Sequence, residues 1–367
     1  MDPRFGYTFP AIRGVQAKRE YYVSMCPLRI IPKIFYFDEE EAALPAELRA
    51  QRILNTNRVP EIAEYVLNNQ DSYVFSAITA SIDADVVFEP LGSDDISSDV
   101  GMLRVPLDSK FIINDGQHRR AAIEEAIREK PALGDESIAV VFFIDRGLER
   151  CQQMFADLNR HVVRPSKSLG ILYDHRDRMS QLTRLVVLKS DYFKDLVEME
   201  KTSLSPRSRK LFTLSAIYGA TDALLEGRDL DDLAPAADLA RDYWEEVFRQ
   251  MPEWQFVHDK KMSAGEVRSD FIHAHGITLQ ALGYIGNELI QRAKNEWKKI
   301  LRKLRDIDWA RNNAHLWEGR AMVGGRLSKA GQNVTLTTNA IKHALGLELT
   351  PEQERLEKAF NRSQRDA

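Results

Sequence analysis

The sequence predicts an α+β (mixed α/β) chain, with an α/β part over residues 1–164 and a mainly helical part over residues 165–367. Three observations predict it. Aromatic and β-branched patches crowd the first 145 residues, a strand, turn, helix and strand follow one another between Lys110 and Ile144, and helical periodicity takes over after Gly147. Tyr21–Met25 and Leu28–Phe37 read as strands, with Pro27 and Pro32 marking a break or an edge. From Pro45 to Asn69 the pattern is helical, with Ile62, Ala63, Val66 and Leu67 on one face and Pro60 suited to a first turn. Tyr73–Ala80 and Asp85–Phe88 read as strands, and Leu91–Val100 as an acidic, serine-containing loop. Phe111-Ile112-Ile113 is a short buried strand. After the Asp115-Gly116 turn, Gln117–Lys130 forms a helix ended by Pro131, and Ile138–Ile144 is a continuous apolar strand. Together these suggest a β-α-β unit or a variant of one. Helices follow over Leu148–Asn159, over Ser166–Leu188 and repeatedly between Leu211 and Leu304, and the domain boundary falls near Arg164-Pro165.

Composition narrows the function classes. The 367 residues are 44% hydrophobic and 29% charged, which fits a folded chain rather than wholesale disorder. Fifty-one Lys and Arg against fifty-five Asp and Glu leave a net charge of −4, so a globally basic nucleic-acid binder is excluded while a locally basic face is not. Cys26 and Cys151 are too few for a disulfide framework or a cysteine-built zinc site. His273 and His275, two apart, make a poor metal pair, so no metal site is expected. No signal peptide or membrane-length apolar run is readable. A cytoplasmic protein without membrane contact is the expectation.

Asn114-Asp115-Gly116-Gln117-His118-Arg119-Arg120 joins the buried strand to the helix start. A helix amino terminus offers unpaired N–H groups and partial positive charge, which favour an anion. Gly116 permits a close turn, Gln117, His118, Arg119 and Arg120 add donors, and arginine grips phosphate in a bidentate way. Asp115 would cap the helix, hold a metal-bound water or orient an arginine. The competing reading is a capped helix with solvated arginines, and one glycine does not decide between the two.

Asp115-Gly116-Gln117-His118-Arg119 spells the signature of the DGQHR-motif family of bacterial proteins, and the chain resembles the DndB group within it, which serves DNA phosphorothioation (sulfur modification). Gln51-Arg52-Ile53-Leu54-Asn55 with Arg58, Phe155–Arg160 with Arg164-Pro165-Ser166, and Leu172–Asp177 extend the resemblance. More distantly, the family is similar to the ParB and sulfiredoxin group, whose small α/β domain binds nucleotide phosphate at a comparable turn. Gln117 stands where ParB proteins carry an acidic residue, and no sulfiredoxin-type cysteine adjoins the motif. The resemblance implies a ParB/sulfiredoxin-like amino-terminal domain and a DNA-binding repressor of the modification genes. It also draws Arg52, Asn55, Arg58, Asn159, Arg160, Arg164 and Ser166 into the expected phosphate site.

Other clusters carry chemistry. Asp174, His175 and Asp177 hold the groups for metal-assisted or general-base phosphodiester cleavage, although such a cluster is more often a salt-bridged helix face. Arg207, Arg209 and Lys210 form a basic arm suited to backbone phosphates. Trp297–Arg305 reads as a basic amphipathic helix that directs Lys298, Lys299, Arg302 and Lys303 outward, with Lys294 one turn earlier. Gly319–Leu327 sets Arg320 and Arg326 beside glycines in a loop that would track a DNA backbone or simply turn at the surface. The leading expectation is therefore a homo-oligomeric regulator that contacts double-stranded promoter DNA. Its rivals are a nucleotide hydrolase or DNA nickase acting through Asp115, His118 and Arg119 with a nucleoside triphosphate and Mg, and a non-catalytic scaffold for other phosphorothioation proteins.

Overall fold

The computed structural model describes residues 6–35, 58–94, 97–146, 150–160, 165–292 and 296–365. The chain divides into two compact units, residues 1–163 and 164–367.

The first unit is built on β1 (Gly6–Gln16), β2 (Arg19–Pro27), α1 (Ile31–Ile34), α2 (Arg58–Asn68), β3 (Ile78–Asp83), β4 (Val87–Pro90), β5 (Val100–Pro106), β6 (Lys110–Asp115), α3 (Gln117–Glu129), β7 (Ser137–Ile144) and α4 (Cys151–Arg160). Seven strands form one mixed sheet in the order β4-β5-β1-β2-β7-β3-β6. Alternation buries Phe9, Ala11, Tyr22, Val140 and Phe142 on one face, where they meet Ile31, Ile34, Phe35 and Ile123. β3 lies parallel to β7 and antiparallel to β6, so β6 and β7 run in opposite senses with β3 between them. The expected β-α-β unit is thus a variant with an inserted strand, not a parallel crossover.

Of the strand expected over Leu28–Phe37, the described residues Leu28–Phe35 are not a strand, and Tyr36 and Phe37 lie outside the described residues. A 3-10 turn over Leu28–Ile30 leads into α1, with Pro32 in its first turn and Leu28, Ile31, Ile34 and Phe35 buried at helical spacing. The strand expected at Tyr73–Ala80 begins only at Ile78. β1 and β5 escape the sequence reading: glycine, proline and polar residues interrupt the alternation of β1, and β5 is a short run that begins at the end of the acidic loop and closes on Pro106. Of the helix expected over Pro45–Asn69, α2 is seen, and residues 45–57 lie outside the described residues.

The second unit is mostly helical: α5 (Lys167–Tyr173), α6 (Arg178–Lys189), α7 (Phe193–Leu196), β8 (Val197–Glu198), β9 (Phe212–Thr213), α8 (Leu214–Leu225), α9 (Leu233–Arg249), α10 (Pro252–His258), α11 (Ala264–Asp270), α12 (Gly276–Arg292), α13 (Trp297–Leu301), α14 (Ala314–Trp317), β10 (Met322–Val323), β11 (Arg326–Leu327), α15 (Gly331–Leu345) and α16 (Pro351–Arg365). Trp244, Trp254, Trp309 and Trp317 lie in its core. The single helix expected over Ser166–Leu188 is two, because Asp174 and Asp177 bond to nearby amides and break it. The basic helix expected over Trp297–Arg305 is the short α13 followed by a 3-10 turn at Arg302–Asp306. The loop expected over Gly319–Leu327 contains a β10-β11 hairpin, turned by Gly324 and Gly325 at φ 59° and 74°.

Candidate phosphate and DNA-contact sites

Local geometry sets the motif corner. Along β6, Asp115 pairs with Thr79 and Ile113 with Ala80, so Asn114 is an extra residue, a β-bulge. The bulge turns Asn114 into the interior. Its amide donates to Ser81 Oγ at 2.8 Å, and its carbonyl oxygen accepts from the Cys151 thiol at 2.9 Å. Gly116 follows at φ 110°, a conformation that L side chains resist, and starts α3 without any side-chain cap.

The side chains of the motif turn largely inward. Arg119 donates to Asp115 at 2.7 Å and to the Ala77 carbonyl at 3.0 Å. Arg120 is buried, its guanidinium donating to the Phe35 carbonyl at 2.9 Å, the Pro32 carbonyl at 3.2 Å and Glu124 at 2.5 Å. The buried Gln117 amide reaches back towards the Ile113 carbonyl at 3.4 Å. Asp115 therefore orients an arginine rather than capping the helix, and Arg120 ties α3 to the end of α1. What still faces outward is the first turn of α3 with His118 and the exposed Arg58. Burial, then the positive charges of Arg58 and Arg119, lower the His118 pKa and favour its neutral form. Arg52, Asn55 and Arg164 lie outside the described residues, as do the side chains of Asn159 and Arg160. Ser166 caps α5, accepting from the Leu169 amide at 3.1 Å, and its hydroxyl donates to the Glu200 carbonyl.

The acidic cluster sits between α5 and α6, not on a helix. Asp174 accepts from the amides of Arg176 and Asp177, both at 2.9 Å, and these bonds bring its pKa below the usual carboxylate range. Asp177 caps α6, taking the Ser180 amide at 2.8 Å and hydroxyl at 2.6 Å and the Tyr218 hydroxyl at 3.1 Å. His175 Nδ1 lies 3.3 Å from the Arg184 guanidinium. These groups hold a helix junction together. Among the described residues no cluster of three or more His, Cys, Asp or Glu could hold a metal.

Basic residues divide sharply by environment. Arg320 is buried against Glu357 and stacks over the Phe360 ring at 4.4 Å. Lys210 donates to the Asp195 carbonyl at 2.9 Å, and Lys303 to the Leu345 carbonyl at 3.0 Å. Arg207 and Arg209, by contrast, are exposed and have no partner among the described residues. They line a concave surface of about 1120 Å3 together with Lys260 and Lys261, two residues that sequence reasoning passed over although His258-Asp259-Lys260-Lys261 is a visible charge run. The acidic groups on that surface are Asp195 and Glu266, and Glu266 is engaged in the capping box of α11 with Ser263. Lys298, Lys299 and Arg302 are exposed along α13 and the turn after it, with Lys298 Nζ 5.2 Å from the Trp297 ring. Arg326 is exposed on the hairpin, and Lys294 lies outside the described residues.

No helix among the described residues is long and apolar enough to cross a membrane. No curated protein and no solved structure matches the chain. A family model does, that of DndB, described as DNA-sulfur modification-associated, and it spans residues 9–348 and so both units. The chain belongs to the DndB family and has a role in the DNA phosphorothioation system.

Proposed function

We propose that the chain binds double-stranded DNA in the promoter region of the modification genes and represses them, with the helical unit supplying the main phosphate contacts. The observation that carries this reading is the concave surface bearing Arg207, Arg209, Lys260 and Lys261, where both arginines project unpaired. Cations without internal partners are the ones a polyanion recruits, and releasing the counterions around DNA supplies the affinity. Lys298, Lys299, Arg302 and Arg326 offer further exposed cations on the same unit. A net charge of −4 is no obstacle when the cations cluster locally. Family membership also fits other phosphorothioation proteins as partners.

The hydrolase reading has less behind it. Asp115 and Arg119, two of its three catalytic candidates, are engaged with each other in an ion pair at 2.7 Å.

The test is fluorescence anisotropy with a promoter fragment across a salt series, paired with a reporter driven by that promoter. Wild type should bind with affinity falling steeply as salt rises and should silence the reporter. Salt-independent binding would contradict the electrostatic surface, and binding without silencing would contradict repression.

A further inference from the structure

A second hollow in the helical unit, about 650 Å3 in volume, is lined by residues at the starts of α8 and α12 and by the segment before α15. Its charged lining is Lys167, Arg268 and Lys329, and no carboxylate is among its lining residues. Arg268 is already engaged, donating to the carbonyls of Ser205 at 2.7 Å and Ser208 at 3.3 Å and to that of Lys210. Lys167 and Lys329 are different. Among the described residues neither has a hydrogen bond or an ion pair. Lys167 lies over the Tyr218 ring at 5.7 Å and feels Asp222 only through space.

Lys329 sits against the start of α12. Its ammonium lies 3.6 Å from where a Cβ on Gly276 would stand and 3.7 Å from one on Gly219. The first helical bond of α12 is from the Leu279 amide to the His275 carbonyl at 3.0 Å, and the amides of Gly276, Ile277 and Thr278 have no acceptor among the described residues. Two ammonium groups and an open helix start thus line one hollow that has no carboxylate among its lining residues. Lys167 and Lys329 are both exposed, and partial desolvation of Lys329 together with the charge of Lys167 pushes the Lys329 pKa down. The hydroxyls of Ser203 and Ser215 add donors at the rim.

We propose that this hollow binds the phosphate group of a small phosphoester, Lys167 and Lys329 neutralising its charge and the α12 amides donating hydrogen bonds to its oxygens. The volume falls within the range of small-molecule sites and has room for the nucleoside of a mononucleotide. The hollow adjoins the arginine surface, sharing Pro206 and Gly265 in its lining, and it stands whether or not the chain binds DNA.

Isothermal titration calorimetry on the full chain tests it, using inorganic phosphate and adenosine 5′-monophosphate as probes. Wild type binds at least one of them. Tighter binding of the monophosphate identifies a nucleotide-type ligand, and equal binding identifies phosphate itself. Lys167→Gln/Lys329→Gln weakens binding about tenfold or more, since each lost charged hydrogen bond is a large share of such an affinity. Gly219→Asp, which sets a carboxylate beside Lys329, gives the same loss in a chain whose melting point does not fall. If wild type binds neither probe, or if both variants bind as wild type does, the proposal is wrong. Loss of affinity for duplex DNA in the variants, with no small anion bound by wild type, would likewise overturn it and assign the lysines to DNA.

Discussion

The motif corner of the sheet unit and the arginine surface of the helical unit contain the same cation and employ it in opposite ways. Arg119 and Arg120 follow a glycine turn at a helix start, where a phosphate site is expected from sequence, yet their guanidinium groups bond to Asp115, Glu124 and three backbone carbonyls. Arg207 and Arg209 belong to a proline-broken segment that reads from sequence as a basic arm, and they line a concave surface unpaired. An arginine that closes its hydrogen bonds inside the fold contributes to stability. One left open contributes to binding. Substitutions should separate the two classes.

The largest effect is expected where an internal arginine leaves a buried carboxylate behind. Glu357 is held below its usual pKa: burial alone would raise it, and the bonds from Arg320 outweigh that. Arg320→Ala should cost about 3–5 kcal/mol in chemical denaturation, the range for breaking one side of a buried pair. Arg120→Ala should cost about 2–4 kcal/mol, because it frees the carbonyls of Pro32 and Phe35 along with Glu124. The folded fraction of either variant should bind DNA as wild type does. Reduced binding by a fully folded Arg120→Ala would erase the contrast.

Acid should sharpen the same contrast. Burial, opposed by the bond from His275 to the Arg268 carbonyl and aided by the charge of Arg311, lowers the His275 pKa to about 4. Its unfolded value is near 6.5, so the unfolded chain takes up a proton that the native chain refuses. Stability is therefore fully present above about pH 6.5 and falls as pH drops towards 4, by about 3 kcal/mol from this residue. Melting curves at successive pH values should show the decline, and His275→Gln should flatten it. An unchanged slope in that variant would place the acid sensitivity elsewhere.

Much of this was legible in the sequence, and the misses have physical causes. The strand-turn-helix at Phe111–Lys130 and the buried strand at Ile138–Ile144 follow from apolar runs bounded by turn residues, and the structure has them. Leu28–Phe37 is ambiguous because β-branched and aromatic content suggests a strand while the spacing of its buried residues is helical, and tertiary packing decided. At the site, sequence identifies which residues are cations but not which find carbonyls or carboxylates of remote segments. Arg320 meets Glu357 across 37 positions, and Arg120 meets Phe35 across 85. Lys329 went unnoticed for the reverse reason, since a lone lysine carries no local pattern and gains interest only from Lys167 and the start of α12.

Smaller effects are expected on the open side. Lys298→Ala/Lys299→Ala/Arg302→Ala should weaken DNA binding severalfold at low salt and leave folding stability within about 0.5 kcal/mol, as surface substitutions do. A large loss of stability would show that these side chains carry structure after all.

The most direct measurement is the dependence of promoter-DNA affinity on salt for wild type, Arg207→Ala/Arg209→Ala and Arg119→Ala. Each phosphate contact contributes about 0.9 to the slope of log affinity against log salt. The account predicts that the double variant loses about 2 from the slope while Arg119→Ala retains the wild-type value. The opposite pattern, an unaltered slope in the double variant and a reduced one in a folded Arg119→Ala, would contradict it and return the DNA contact to the motif corner.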